Sequence, residues 1–149
     1  MAASYNSEMV STSAKEKLLA SVVNALVVAV LSLPFLMLWG FGTQYRVALV
    51  ILFFLYQLVV LVLPGRRSLG MRWTKAYWNR YYPILNHITY ALLYSISFST
   101  LVIWIVYPFD LLLVNLLCIQ LPMVRATGYT LHGYLSGKMA GHVLTTEYE

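Results

Sequence analysis

The chain has 149 residues, of which 60% are hydrophobic and only 10% charged, with a mean hydropathy of +0.73. Soluble domains carry about 25% charged residues, so too little charge is present here to coat a water-soluble surface. The net charge of +5 and pI near 9.4 would suit nucleic acid, but the positive charges sit beside apolar runs, which points to anionic lipid headgroups and no nucleic acid.

Residues 1–17 form a polar N-terminal arm without the apolar core and cleavage site of a secretory signal. The run after it is therefore read as a retained first helix. A helix needs about 20 apolar residues to cross a hydrocarbon core of about 30 Å. The first expected span is 18–41, starting beside Lys15 and Lys17. The second is 46–63, stopped by Pro64 and Gly65. The third is 84–107, stopped by Pro108, and the fourth is 109–124, shorter and closed by Arg125. The expected fold is therefore an all-α polytopic bundle of four helices in two hairpins, occupying residues 18–124, because open backbone is not tolerated in lipid.

The turns at 40–44 and 107–110 leave almost nothing exposed on one side. Asp110 is placed to cap the fourth helix, with Pro108 setting the turn. On the other side lies the loop 65–82, GRRSLGMRWTKAYWNRYY. Arg66, Arg67, Arg72, Lys75 and Arg80 alternate there with Trp73, Tyr77, Trp78, Tyr81 and Tyr82, and no acid is present. Lys and Arg resist translocation, while Trp and Tyr settle at headgroup depth, so this loop marks the cytoplasmic or matrix side. Arg66, Arg67, Arg72, Trp73, Lys75, Trp78 and Arg80 are the candidate contacts for anionic lipid, cardiolipin included, or for a partner subunit. Residues 125–149 form a Gly-rich tail, with Tyr129, Leu131, Tyr134 and Leu135 expected along the interface and His132 and Lys138 toward headgroups.

Polar groups at membrane depth are expensive. Asn24, Gln57, Asn86, His87, Tyr90 and Gln120 are expected to share one layer in the cytoplasmic third of the bundle, bonding across helices. His87, Tyr90, Tyr94 and Ser97 share one face of the third helix. That stripe either packs closely or lines a hydrated crevice. Cys118, the one cysteine, permits no disulfide or cysteine metal site and is read as a small buried apolar residue. His87 is the sole histidine in a span, so a bis-histidine haem is not expected, nor any other cofactor or metal. No nucleophile–base pair, phosphate loop or metal spacing occurs, and an enzyme is not expected.

Three segments together resemble the RDD family of small bacterial and organellar membrane proteins. Lys17-Leu18-Leu19-Ala20-Ser21-Val22-Val23-Asn24 is similar to its R-x-x-A-x-x-I-D, with Lys for Arg and Asn for Asp. Gly65-Arg66-Arg67-Ser68-Leu69-Gly70-Met71-Arg72 resembles its G-x-S-L-G-K-R-x-L-G, offset by a residue. Leu131-His132-Gly133-Tyr134-Leu135-Ser136-Gly137-Lys138 is similar to its L-H-D-x-L-A-G-T, with Gly for Asp. The resemblance implies a helical membrane scaffold, and ion transport has been suggested for some members. Transport through the family's carboxylates does not carry over, because Asn24 cannot titrate and Gly133 has no side chain.

The expected role is a non-catalytic accessory subunit of a larger membrane complex, in a bacterial plasma membrane or an organellar inner membrane. The alternative is a small transporter or channel component with a polar path through Asn24, Gln57, His87 and Gln120.

Overall fold

The computed structural model describes residues 8–145; the outermost parts of the polar arm and of the tail lie outside them. The chain is mostly helical, as expected, but it is not all-α. It opens with strand β1 (Glu8–Ser11) and then enters helix α1 (Ala14–Leu31). Ser13 caps α1 by accepting the Glu16 N–H at 3.2 Å, with Glu16 at the third helical position, where a carboxylate suits the positive helix end.

The first apolar run does not make one straight helix. It breaks at Ser32 and resumes as α2 (Leu33–Trp39), bent by 52°. Pro34 in the first turn of α2 has no N–H to return to the helix. Ser32 is buried at the break, its hydroxyl donating to the Ala29 carbonyl at 2.7 Å and lying 2.7 Å from the Tyr45 hydroxyl. Helix α3 (Thr43–Val60) follows the turn at Gly40, whose φ is +67°.

The loop expected at 65–82 is structured. A tight turn at Pro64–Arg66 leads to helix α4 (Leu69–Trp73), capped by Ser68, and to strand β2 (Ala76–Trp78). Helix α5 (Ile84–Val102) stops five residues short of the expected Tyr107. The cause is Asp110, whose carboxylate accepts the N–H groups of Ile105, Val106, Tyr107 and Leu111 and draws that backbone into a turn. Asp110 is not the cap that was expected: it is the first residue of the fourth helix, Phe109 (φ +64°) holds the cap position without a side-chain bond, and the carboxylate chiefly ends the third helix early.

The fourth helix is α6 (Asp110–Val114), a π-helical turn (Asn115–Gln120) and α7 (Leu121–Thr127), together 18 residues. Pro122 offers no N–H to the Cys118 carbonyl, and the wider turn absorbs that defect. Cys118 is exposed on this helix, contrary to expectation, because the turn directs Asn115 inward instead. Helix α8 (Leu131–Leu135) and strand β3 (Gly141–Thr145) complete the chain.

Thr43–Val60 and Asp110–Thr127 are long and apolar enough to cross a membrane, and the bent α1–α2 pair counts as a third if it is taken as one span. Helix α5 has the length, at 19 residues, but carries nine Asn, His, Tyr, Ser and Thr side chains. The core joins α1, α3 and α5. Phe53 stacks on Phe98 at 4.1 Å and meets the edge of Tyr94 at 5.0 Å, with Val28 fully buried beside them.

The all-α expectation is corrected by a three-stranded antiparallel sheet in the order β1-β3-β2, formed from the arm, the loop and the tail. Ser11 pairs with His142, and Trp78 pairs with Gly141. Strand β3 thus lashes both the N-terminal arm and the loop to the same end of the bundle. Of the ten Lys and Arg residues, Arg46 alone lies at the opposite end, its guanidinium between the rings of Phe41 and Trp104 at 4.8 and 4.5 Å.

Candidate functional site

The polar centre lies at this basic end, and Asn24 is its hub. Asn24 is buried, and both ends of its amide are used. Its Oδ1 accepts the Tyr56 hydroxyl at 2.8 Å and the Gly70 N–H at 2.9 Å. Its Nδ2 donates to the Ser68 hydroxyl at 3.2 Å and the Tyr94 hydroxyl at 3.4 Å. Tyr94 donates in turn to Ser21 at 2.9 Å, and Tyr56 accepts the Leu69 N–H at 3.0 Å. One amide therefore ties α1, α3 and α5 to the start of α4. A Cβ at Gly70 would come within 2.0 Å of the Ala20 carbonyl oxygen, so only glycine allows α4 this close to α1.

Beside the hub is a cavity of about 70 Å³, large enough for several water molecules. Gln57, His87, Tyr90, Lys17, Arg66 and His132 line it. Gln57 Nε2 is buried and has no hydrogen-bond partner, and the same holds for His132 Nδ1. His132 corrects an expectation: it does not face headgroups but is buried, stacked on Tyr94 at 4.6 Å and 12°. Burial pushes its pKa down to about 3, with the charge on Lys17 adding to the effect, so the ring is neutral at physiological pH. Gly133 beside it also has a steric reason, since a Cβ there would lie 2.4 Å from the Met139 carbonyl oxygen.

The other expected polar residues divide. Asn24, Gln57, His87 and Tyr90 line the cavity together. Asn86 turns instead to the tail, donating to the Ser136 carbonyl at 3.0 Å. Gln120 belongs to a separate cluster: its Nε2 donates to Asn115 Oδ1 at 3.1 Å, and its Oε1 accepts the Leu131 N–H at 3.0 Å. Asn115 donates to the Ser97 hydroxyl at 2.9 Å and to Thr100 at 3.2 Å. Sequence reasoning missed Asn115, because five residues along an α-helix put side chains about 140° apart. The π-helical turn aligns Asn115 with Gln120.

The basic loop is largely occupied with itself. Arg66 donates to the Tyr82 carbonyl at 3.2 Å, and Arg67 to Ala76 at 2.7 Å with its guanidinium 3.7 Å from the Tyr77 ring centre. Arg72 reaches the Pro64 carbonyl at 2.6 Å and Arg80 the Gly137 carbonyl at 3.0 Å. Trp78 packs edge-on against His87 and Tyr90 and donates to the Arg66 carbonyl at 2.8 Å. Trp73 and Lys75 remain exposed. The segment 17–24, the segment 65–72 and the segment 131–138 thus converge on one site, although they are far apart in sequence. A comparison with known protein families, curated proteins and solved structures finds no match for this chain.

Proposed function

We propose that the protein is a four-span, non-catalytic accessory subunit that packs laterally into a larger membrane assembly, with its basic end on the cytoplasmic or matrix side. The observation that carries this reading is the Asn24 hub. Its four hydrogen bonds are all made within the chain, so this buried amide serves to fasten loop 65–82 to the helices. The outer faces, by contrast, are apolar and open: Met37 and Leu38 are 87% and 75% exposed, as suits lipid or neighbouring helices.

Counting α5 as the remaining span is supported by its hydroxyls. Thr89, Ser95, Ser99 and Thr100 each donate to a carbonyl three or four residues earlier, which lowers the cost of placing them in hydrocarbon. The convergence of the three RDD-like segments on one site supports reading the chain as a variant of that scaffold. Lys17, Asn24 and Gly133 keep the packing positions while the carboxylates are gone. Trp73 and Tyr81, exposed at the basic end, are the anchors offered to headgroups or to a partner. The test is photo-crosslinking in the native membrane from probes at Met37 and Trp73. Discrete adducts with the same neighbouring proteins at both sites support the subunit; labelling of lipid alone at both sites refutes it.

A second reading, a transporter or channel component, is favoured by one observation, the unpartnered Gln57 and His132 in the cavity. Its path requires Asn24 and Gln120 in one continuous line, yet each is held by a different cluster. Proteoliposome flux abolished by Gln57→Leu would establish it over the subunit reading.

A further inference from the structure

A second, larger hollow lies on the side of the bundle. It is a groove of about 480 Å³ between α1 and the α6–α7 helix, with Tyr94 and Phe98 of α5 as its floor. Val22 and Ala25 form part of one wall, and Leu116 and Leu117 part of the other. Val22 and Leu117 are 45% and 59% exposed, so the groove opens sideways. Its volume and its apolar lining with few polar groups are those of a small-ligand site, which typically spans about 300–1,000 Å³.

The polar groups are not spread evenly. Lys15, Lys17 and His132 line the groove at the basic end, while Ser97, Asn115 and Gln120, which also line it, are bonded to one another; among the described residues no acid lines it. Lys17 donates to Thr12, which leaves two further N–H groups on its ammonium. His132 is buried and its Nδ1 has no hydrogen-bond partner. An amphiphile with an apolar tail and an anionic head matches this polarity. On the membrane reading above, the basic end of the groove falls on the headgroup side and its open flank faces hydrocarbon, so lipid of the bilayer is the amphiphile at hand there.

We infer that this groove is a specific site for one anionic phospholipid of the surrounding bilayer, an acyl chain lying against Val22 and Leu117 and the phosphate against Lys15 and Lys17. The inference rests on the membrane reading above, and it moves the lipid contact away from loop 65–82, whose arginines are engaged with backbone carbonyls.

The test is native mass spectrometry of the full chain released from vesicles of phosphatidylcholine containing a minority of phosphatidylglycerol. The expected result is one retained phosphatidylglycerol per chain. Val22→Trp and the more exposed Leu117→Trp should each lower that retention about tenfold. Lys15→Gln with Lys17→Gln should abolish the preference for phosphatidylglycerol over phosphatidylcholine. Full retention in Leu117→Trp at an unchanged melting temperature overturns the site, as does a loss caused instead by Arg66→Gln with Arg72→Gln. A chain that fails to enter the vesicles overturns the membrane reading itself, which is a different result from insertion without retained lipid.

Discussion

Asn24 gathers four interior hydrogen bonds in one residue. Replacing it by Leu leaves the Gly70 N–H, a buried donor, without an acceptor, at a cost of about 1–3 kcal/mol, and frees the Tyr56 hydroxyl as well. Asn24→Asp keeps the acceptor oxygen and should cost less. The measurement is the melting temperature in detergent together with protease cleavage of loop 65–82; equal stability of Asn24→Leu and the wild type would remove the hub from the account. Gly70→Ala should destabilise by about 1–3 kcal/mol in the same assay, since its Cβ meets main chain rather than a movable side chain.

His132 gives a pH signature at the same scale. Its folded pKa of about 3 lies below the ordinary 6.5, so its contribution is complete above pH 6.5. As pH falls below 6.5 the unfolded chain takes up a proton that the folded chain refuses. Stability should then drop by about 1.4 kcal/mol per pH unit from this group down toward pH 3. His132→Phe should flatten that slope; an unchanged slope would mean that another group causes it.

At the scale of elements, β3 and Asp110 hold the ends of the bundle. Strand β3 is the central strand, so a proline there removes a ladder hydrogen bond on one side and, through its ring, distorts the backbone that the other side pairs with. Val143→Pro should raise amide exchange in both β1 and β2, and exchange confined to β3 would contradict the sheet order. Asp110→Ala should speed exchange at Ile105, Val106 and Tyr107, whose N–H groups the carboxylate now accepts.

The legibility of the sequence divides along the same line. The apolar runs of α1, α3 and α5 and both outer turns follow from local signals, apolar run length and Pro or Gly; the cap at Ser13, the break at Ser32 and the early end of α5 were not anticipated. The strands do not follow from local signals, because β2 sits inside an aromatic loop and β3 in a Gly-rich tail. Each becomes a strand only through a partner far away in the chain. His132 looked like a surface residue for the same reason: α8 is five residues long, and packing on α5, not any pattern of its own, buries it. Asn24 was legible as a buried amide, whereas its partners Ser68 and Gly70 were not, since they reach it by tertiary folding of the loop. The Asn115–Gln120 pair required a π-helical turn that a period of 3.6 cannot anticipate.

For the whole molecule, the proposed subunit role depends on four crossings, which would collect the basic residues on one side. The direct measurement is labelling with a membrane-impermeant maleimide in sealed, oriented vesicles, using a Cys118→Ser background and single cysteines at Gln44, Tyr107, Lys75 and Lys138. The account predicts that Gln44 and Tyr107 react from one side and that Lys75 and Lys138 react only from the other. If Lys138 reacts from the same side as Gln44, the chain crosses an odd number of times and the basic cap does not exist as one surface.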